Sequence, residues 1–108
     1  MAMLDEFIQV VTTVASQEEA TKIAQALLDQ RLAGCVQMVG PVKSMYRWKG
    51  QIETATEWQC WIKTRRAKYE AVAQVIRQNH IYEVPEIIAI PILEGAEPYL
   101  RWLASETE

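Results

Sequence analysis

The sequence predicts an α+β domain: a ferredoxin-like β-α-β-β-α-β sandwich on one antiparallel sheet, with an added C-terminal helix. Three observations carry this. Two segments place apolar residues at helical spacing, and each is flanked by segments rich in β-branched residues. The turn Trp48-Lys49-Gly50-Gln51 joins the two middle strands as a hairpin, with Gly50 supplying positive φ. Right-handed crossovers then put both helices on one face of the sheet, so its other face needs a cover.

Each element has its own signal. Residues 7–14 alternate, with Ile8, Val10, Thr12 and Val14 on one side of a strand. Ser16-Gln-Glu-Glu19 forms a capping box, and Ala20, Ile23, Ala24, Leu27 and Leu28 continue it as a helix over 17–32. Gly34 stands where a left-handed C-terminal glycine belongs. A second strand covers 35–39 and resumes over 42–46. Gly40-Pro41 between them marks an edge position or a bulge, because proline cannot donate to a ladder. A long third strand follows over 52–64. Tyr69, Val72, Ala73 and Ile76 mark the buried stripe of a second helix, ended by Asn79. The run 86–92 is almost wholly apolar, as in a strand covered on both faces. Pro98 opens a third helix with Tyr99, Trp102 and Leu103, and 105–108 reads as a frayed polar tail.

At 108 residues the chain is a single domain, 1–108. Its net charge of −3 argues against nucleic acid as a partner, which demands a strongly basic face. No apolar run reaches a membrane span, and the start Met1-Ala-Met-Leu-Asp-Glu shows no secretory signal. The expectation is a cytoplasmic protein with Cys35 and Cys60 reduced. Nucleotide-loop, dinucleotide and zinc-protease motifs are all missing from the sequence.

Strand 52–64 has 13 residues and so spans on the order of 43 Å, against roughly 34 Å for the diameter of a domain this size. The hairpin therefore overhangs its own subunit. An overhang bearing Tyr46, Trp48 and Trp58 calls for a neighbouring subunit to cover it.

Thr12-Thr13, Arg31-Leu-Ala-Gly-Cys-Val36, Ser44-Met-Tyr-Arg-Trp-Lys-Gly50, Ile62-Lys-Thr64 and Tyr82-Glu-Val-Pro-Glu-Ile87 occur in this order along nearly the whole chain. Together they resemble the CutA family, the divalent-cation tolerance proteins. The resemblance implies a ferredoxin-like subunit in a homotrimer whose long strands pair across subunits. It implies a role in tolerance to copper and other divalent metals, with no firmly attached catalytic activity. In the family pattern His80 matches a proposed metal ligand and Cys35 a recurrent cysteine. The family commonly has proline after that histidine, whereas this chain has Ile81, which leaves the backbone at His80 less restricted.

The residues themselves support two chemistries. For copper, imidazole and thiolate are suitable, which brings His80 and Cys35 forward as ligands, with Cys60 weaker. Glu57, Glu83 and Glu86 add oxygen donors. Both thiols also lie in strand patterns, where buried cysteine acts as a small hydrophobe. For a small polar ligand, Trp48, Glu57, Lys63, Tyr82 and Glu86 would converge on a cleft between subunits. The same Lys63 could instead form a structural salt bridge with Glu57 or Glu86. An enzyme is not expected, since no nucleophile, base and oxyanion donor come together in the pattern. No cofactor is required; Cu2+ or another divalent cation is a candidate ligand. The stretch 80–88 thus reduces to His80, Tyr82 and Glu86 as ligand contacts, with Pro85 setting the turn into the last strand.

Overall fold

β1, Phe7–Val14, carries the sheet because its β-branched residues suit a strand covered on both faces. Val10, Thr12 and Val14 are fully buried. The computed structural model describes residues 6–108; the amino-terminal stretch read for a leader lies mostly outside them, at 1–5. After β1 come α1 (Gln17–Asp29), β2 (Cys35–Trp48), β3 (Gln51–Arg65), α2 (Tyr69–Gln78), β4 (Ile88–Pro91) and α3 (Glu97–Glu106). A single 3-10 turn, Arg66–Lys68, leads into α2. The sheet order is β2-β3-β1-β4 and every pairing is antiparallel, which is the α+β sandwich expected.

Alternation decides the two faces. Ile8, Val10, Thr12 and Val14 lie opposite Thr64, Ile62, Cys60 and Trp58, and this side faces the helices. Ile23 and Leu27 of α1 and Val72, Val75 and Ile76 of α2 close the core over it. Each such side chain contributes about 1.5–3 kcal/mol by leaving water. Ser16 caps α1 by accepting from the Glu19 N–H at 3.2 Å, and its hydroxyl donates to the Glu19 carboxylate at 3.1 Å.

Three expectations change in these elements. α1 ends at Asp29, and the left-handed residue after it is Arg31, with φ 57°, not Gly34. Arg31 is held in that turn by its guanidinium, which donates to the Ser105 carbonyl at 2.9 Å. Gly34 is needed for space: a Cβ there would meet Leu103 Cδ1 at 2.6 Å. The reading of Gly40-Pro41 holds: β2 is an edge strand, it runs on through a cis Gly40-Pro41 bond, and the register shifts between Val39 and Val42 as at a bulge. β4 is shorter than the apolar run and sits at the sheet edge, so within one subunit Ile88 and Ile90 are 48% and 46% exposed rather than covered. The tail does not fray at Thr107, which is buried; its hydroxyl donates to the Leu103 carbonyl at 2.8 Å and accepts from Arg65.

The β2–β3 hairpin does project. Its turn uses positive φ at Lys49 as well as Gly50, and the subunit is 47 Å long but only 26 × 22 Å across. Met45, Tyr46, Trp48 and Ile52 on it are exposed. Trp58 is not part of the overhang: it packs against the core beneath Gly40.

Candidate functional site

The site is built where α2 ends against β1. Asn79 stops the helix, its amide donating to the Val75 carbonyl at 2.8 Å. The chain then turns, and the His80 ring is gripped on both sides. Nε2 lies 2.7 Å from the Thr13 carbonyl oxygen, and Nδ1 lies 3.2 Å from the Tyr82 backbone nitrogen. A carbonyl only accepts and a backbone N–H only donates. So Nε2 donates to the Thr13 carbonyl and Nδ1 accepts from the Tyr82 N–H. The Tyr82 ring rests against it, with centroids 4.6 Å apart.

That latch aims Tyr82 at Glu57. The phenol hydroxyl donates to Glu57 Oε2 at 3.0 Å. Burial, the hydrogen bond to Glu57 and then the charge of Glu57 push the Tyr82 phenol up to about 12, with smaller contributions from Tyr46 and Glu19. Glu57 itself is only 6% exposed, and its one hydrogen-bond donor among the described residues is Tyr82.

Register explains what surrounds Glu57. Val42 lies opposite it, so alternation puts Ser44, Tyr46 and Trp48 on its side of the sheet, away from the helices. With Thr13 and the loop Tyr82, Glu83, Val84 and Glu86, they enclose a cleft of about 710 Å³. Three carboxylates line it and no basic side chain does. The Lys49 ammonium stands near its mouth, 4.0 Å from Glu83 and 5.6 Å from the centroid of the Trp48 ring.

The model of the family described as "CutA1 divalent ion tolerance protein" matches residues 8–106. The chain belongs to the CutA1 family. It is 41% identical over 98 residues to the divalent-cation tolerance protein CutA of Thermus thermophilus, covering 91% of this chain and 95% of that one. It is 42% identical to the protein of the same name from Archaeoglobus fulgidus, over 89% of this chain and 93% of that one. Protein CutA of Homo sapiens is 40% identical over 96 residues, or 89% of this chain and 54% of that protein. The chain thus spans about half the length of the plant and animal relatives it matches. Among solved structures, CutA1 of Shewanella sp. SIB1 superposes with TM-score 0.93 at 37% identity, covering 97% of this chain and 98% of that one. CutA of Archaeoglobus fulgidus gives TM-score 0.92 at 39% identity, over 94% and 99%.

Of the residues the sequence nominated, Trp48, Glu57, Tyr82 and Glu86 meet in this cleft, and His80 supports it from behind. Lys63 is elsewhere. It lies opposite Gln9 and Cys35, its ammonium donates to the Gln37 side-chain oxygen, and six residues of strand, about 20 Å, separate it from Glu57. Within one subunit, Lys63 therefore pairs with neither Glu57 nor Glu86. Cys35 shares that far end and does not join His80. Cys60 is fully buried; desolvation pushes its thiol up to about 11 and keeps it protonated. Among the described residues no three His, Cys, Asp or Glu side chains are grouped to hold a metal ion. Sequence reasoning missed Thr13, Ser44, Met45 and Val84 in the lining. Ser44 was recoverable from its alternation with Tyr46 and Trp48. Thr13 holds His80 through its main chain, which no side-chain pattern reveals.

Proposed function

We propose that this chain serves divalent-cation tolerance as a binding protein rather than an enzyme. It takes its cation, copper among others, in the cleft at Glu57, and works as a homotrimer. The observation that carries the reading is Glu57: a carboxylate 6% exposed at the wall of an acidic cleft, with a neutral phenol as its hydrogen-bond donor and no cation beside it. Burying an uncompensated carboxylate is costly, and a cation relieves the cost. One subunit does not provide a closed chelate, so Glu57 acts as an anchoring oxygen ligand and waters or a neighbouring subunit complete the shell. The exposed hairpin and the exposed β4 edge support assembly, since each leaves apolar surface uncovered in a single subunit.

His80 does not serve as a ligand in this reading, because both ring nitrogens are committed. Nor do His80 and Cys35 make a nucleophile and base, being held at different ends of the sheet. Calorimetric titration of Cu2+ into the wild-type protein and Glu57→Gln tests the site. Loss of at least about tenfold in affinity is expected, as for removing a charged ligand; equal affinity for both proteins would remove Glu57 from it. The aromatic wall of Tyr46, Trp48 and Tyr82 favours a second reading, a small-ligand sensor using the same cleft.

A further inference from the structure

The geometry points to a second class of cation for this cleft: a linear aliphatic amine carrying two or more ammonium groups. The inference rests on the reading that the cleft is where the subunit takes a cation, and it names a ligand that a metal ion does not resemble.

Three features argue for an elongated organic cation. First, Glu57, Glu83 and Glu86 all line the cleft, yet the described residues form no metal-holding group of three. Carboxylates that share a cavity without converging suit separated charges better than a point charge. Second, Tyr46, Trp48 and Tyr82 line the same cleft. Aromatic faces attract ammonium groups and also cover methylene chains, whereas a hydrated metal ion gains little from them. Third, the chain already shows the recognition on itself. The Lys49 ammonium sits near Trp48 and Glu83 together, at 5.6 Å from the ring centroid and 4.0 Å from the carboxylate. Lys49 is an alkylammonium on a four-carbon stem, which is the chemistry of one end of such a ligand.

A bound diamine would put one ammonium against Glu57, the buried carboxylate, lay its stem along the aromatic wall, and place the other ammonium near Glu83. There it would take over the partners of Lys49. That ion pair is exposed on both sides, with 72% and 73% of the two side chains accessible, so little opposes its exchange.

The test is titration of putrescine and spermidine into the full chain, followed by calorimetry or tryptophan fluorescence, with butanediol as the neutral control. Saturable binding of the amines and none of the diol is expected. Glu57→Gln, which keeps an acceptor for the Tyr82 hydroxyl, should weaken amine binding at least about tenfold. Lys49→Asn removes the internal competitor in a residue type that tolerates the positive φ of 51° there. It should tighten binding about two- to fivefold, in line with one exposed ion pair. Misfolding cannot produce a gain of that kind. No saturable amine binding to the wild type, equal binding of the diol, or amine affinity unchanged in both variants overturns the inference. Copper titration run in parallel separates the two proposals. Copper bound without amine removes only this inference, amine bound without copper removes only the metal reading, and neither bound removes both.

Discussion

Replacing His80 by alanine separates a latch from a ligand. The substitution removes the proton shared with the Thr13 carbonyl at 2.7 Å and the acceptor for the Tyr82 N–H at 3.2 Å. It also removes the ring contact with Tyr82. Two net hydrogen bonds at about 0.5–1.5 kcal/mol each, plus about 0.5–1 kcal/mol for the ring contact, give a loss of about 1.5–4 kcal/mol. Guanidinium unfolding at one fixed protein concentration, followed by tryptophan fluorescence, reads it. Fixing the concentration matters because assembly adds to apparent stability. His80→Gln should recover part of the loss, since its amide can still donate to Thr13. Copper affinity of the folded His80→Ala protein should stay within about threefold of wild type, as neither ring nitrogen is free to bind metal. Unchanged stability with copper affinity lost by more than about tenfold would refute the latch and restore His80 as a ligand.

Other expectations follow from single contacts. Gly40→Ala would put a Cβ 2.6 Å from Trp58 Cδ2, so it should destabilise by about 1–3 kcal/mol and shift tryptophan emission, read by chemical unfolding. Tyr82, raised to about 12 in the folded state, stabilises the fold fully below its ordinary value near pH 10; that contribution is lost as pH rises through 12. Ultraviolet titration should therefore show late phenol titration that Tyr82→Phe reduces, while Tyr99, which burial also raises, keeps its own share. Light scattering should give the mass of three chains at micromolar concentration, and Ile52→Lys on the exposed hairpin should lower it.

The fold was legible wherever one local signal sufficed. Periodicity found α1, α2 and the strands, and the capping box placed the start of α1 at Gln17. Gly50 located the hairpin, although Lys49 shares its left-handed backbone, an arrangement that no composition rule demands of lysine. The misreadings arose where distant contacts decide. Gly34 looked like a backbone device, but it is kept small by a side chain far along the chain, Leu103. Thr107 looked like a loose end because its partner, Arg65, lies 42 positions away. The apolar run 86–92 promised a doubly covered strand; an edge strand with an exposed face carries the same composition when its cover comes from outside the subunit.

The candidate site was legible in part for the same reason. Tyr82 and Glu86 stood out by residue type, and Glu57 and Trp48 by their place on the long hairpin. Lys63 lies apart from the others within one subunit, and charge and strand membership do not say how far along a 15-residue strand a group lies. The role of His80 was hidden in main-chain partners.

The central claim is that the cation sits against Glu57 while His80 only holds the loop. Anomalous diffraction from crystals soaked in copper tests it most directly. The predicted result is a copper peak in the cleft, within bonding distance of a Glu57 carboxylate oxygen, with the His80 hydrogen bonds intact. A peak on a His80 nitrogen or on the Cys35 sulfur, with none at Glu57, would contradict it.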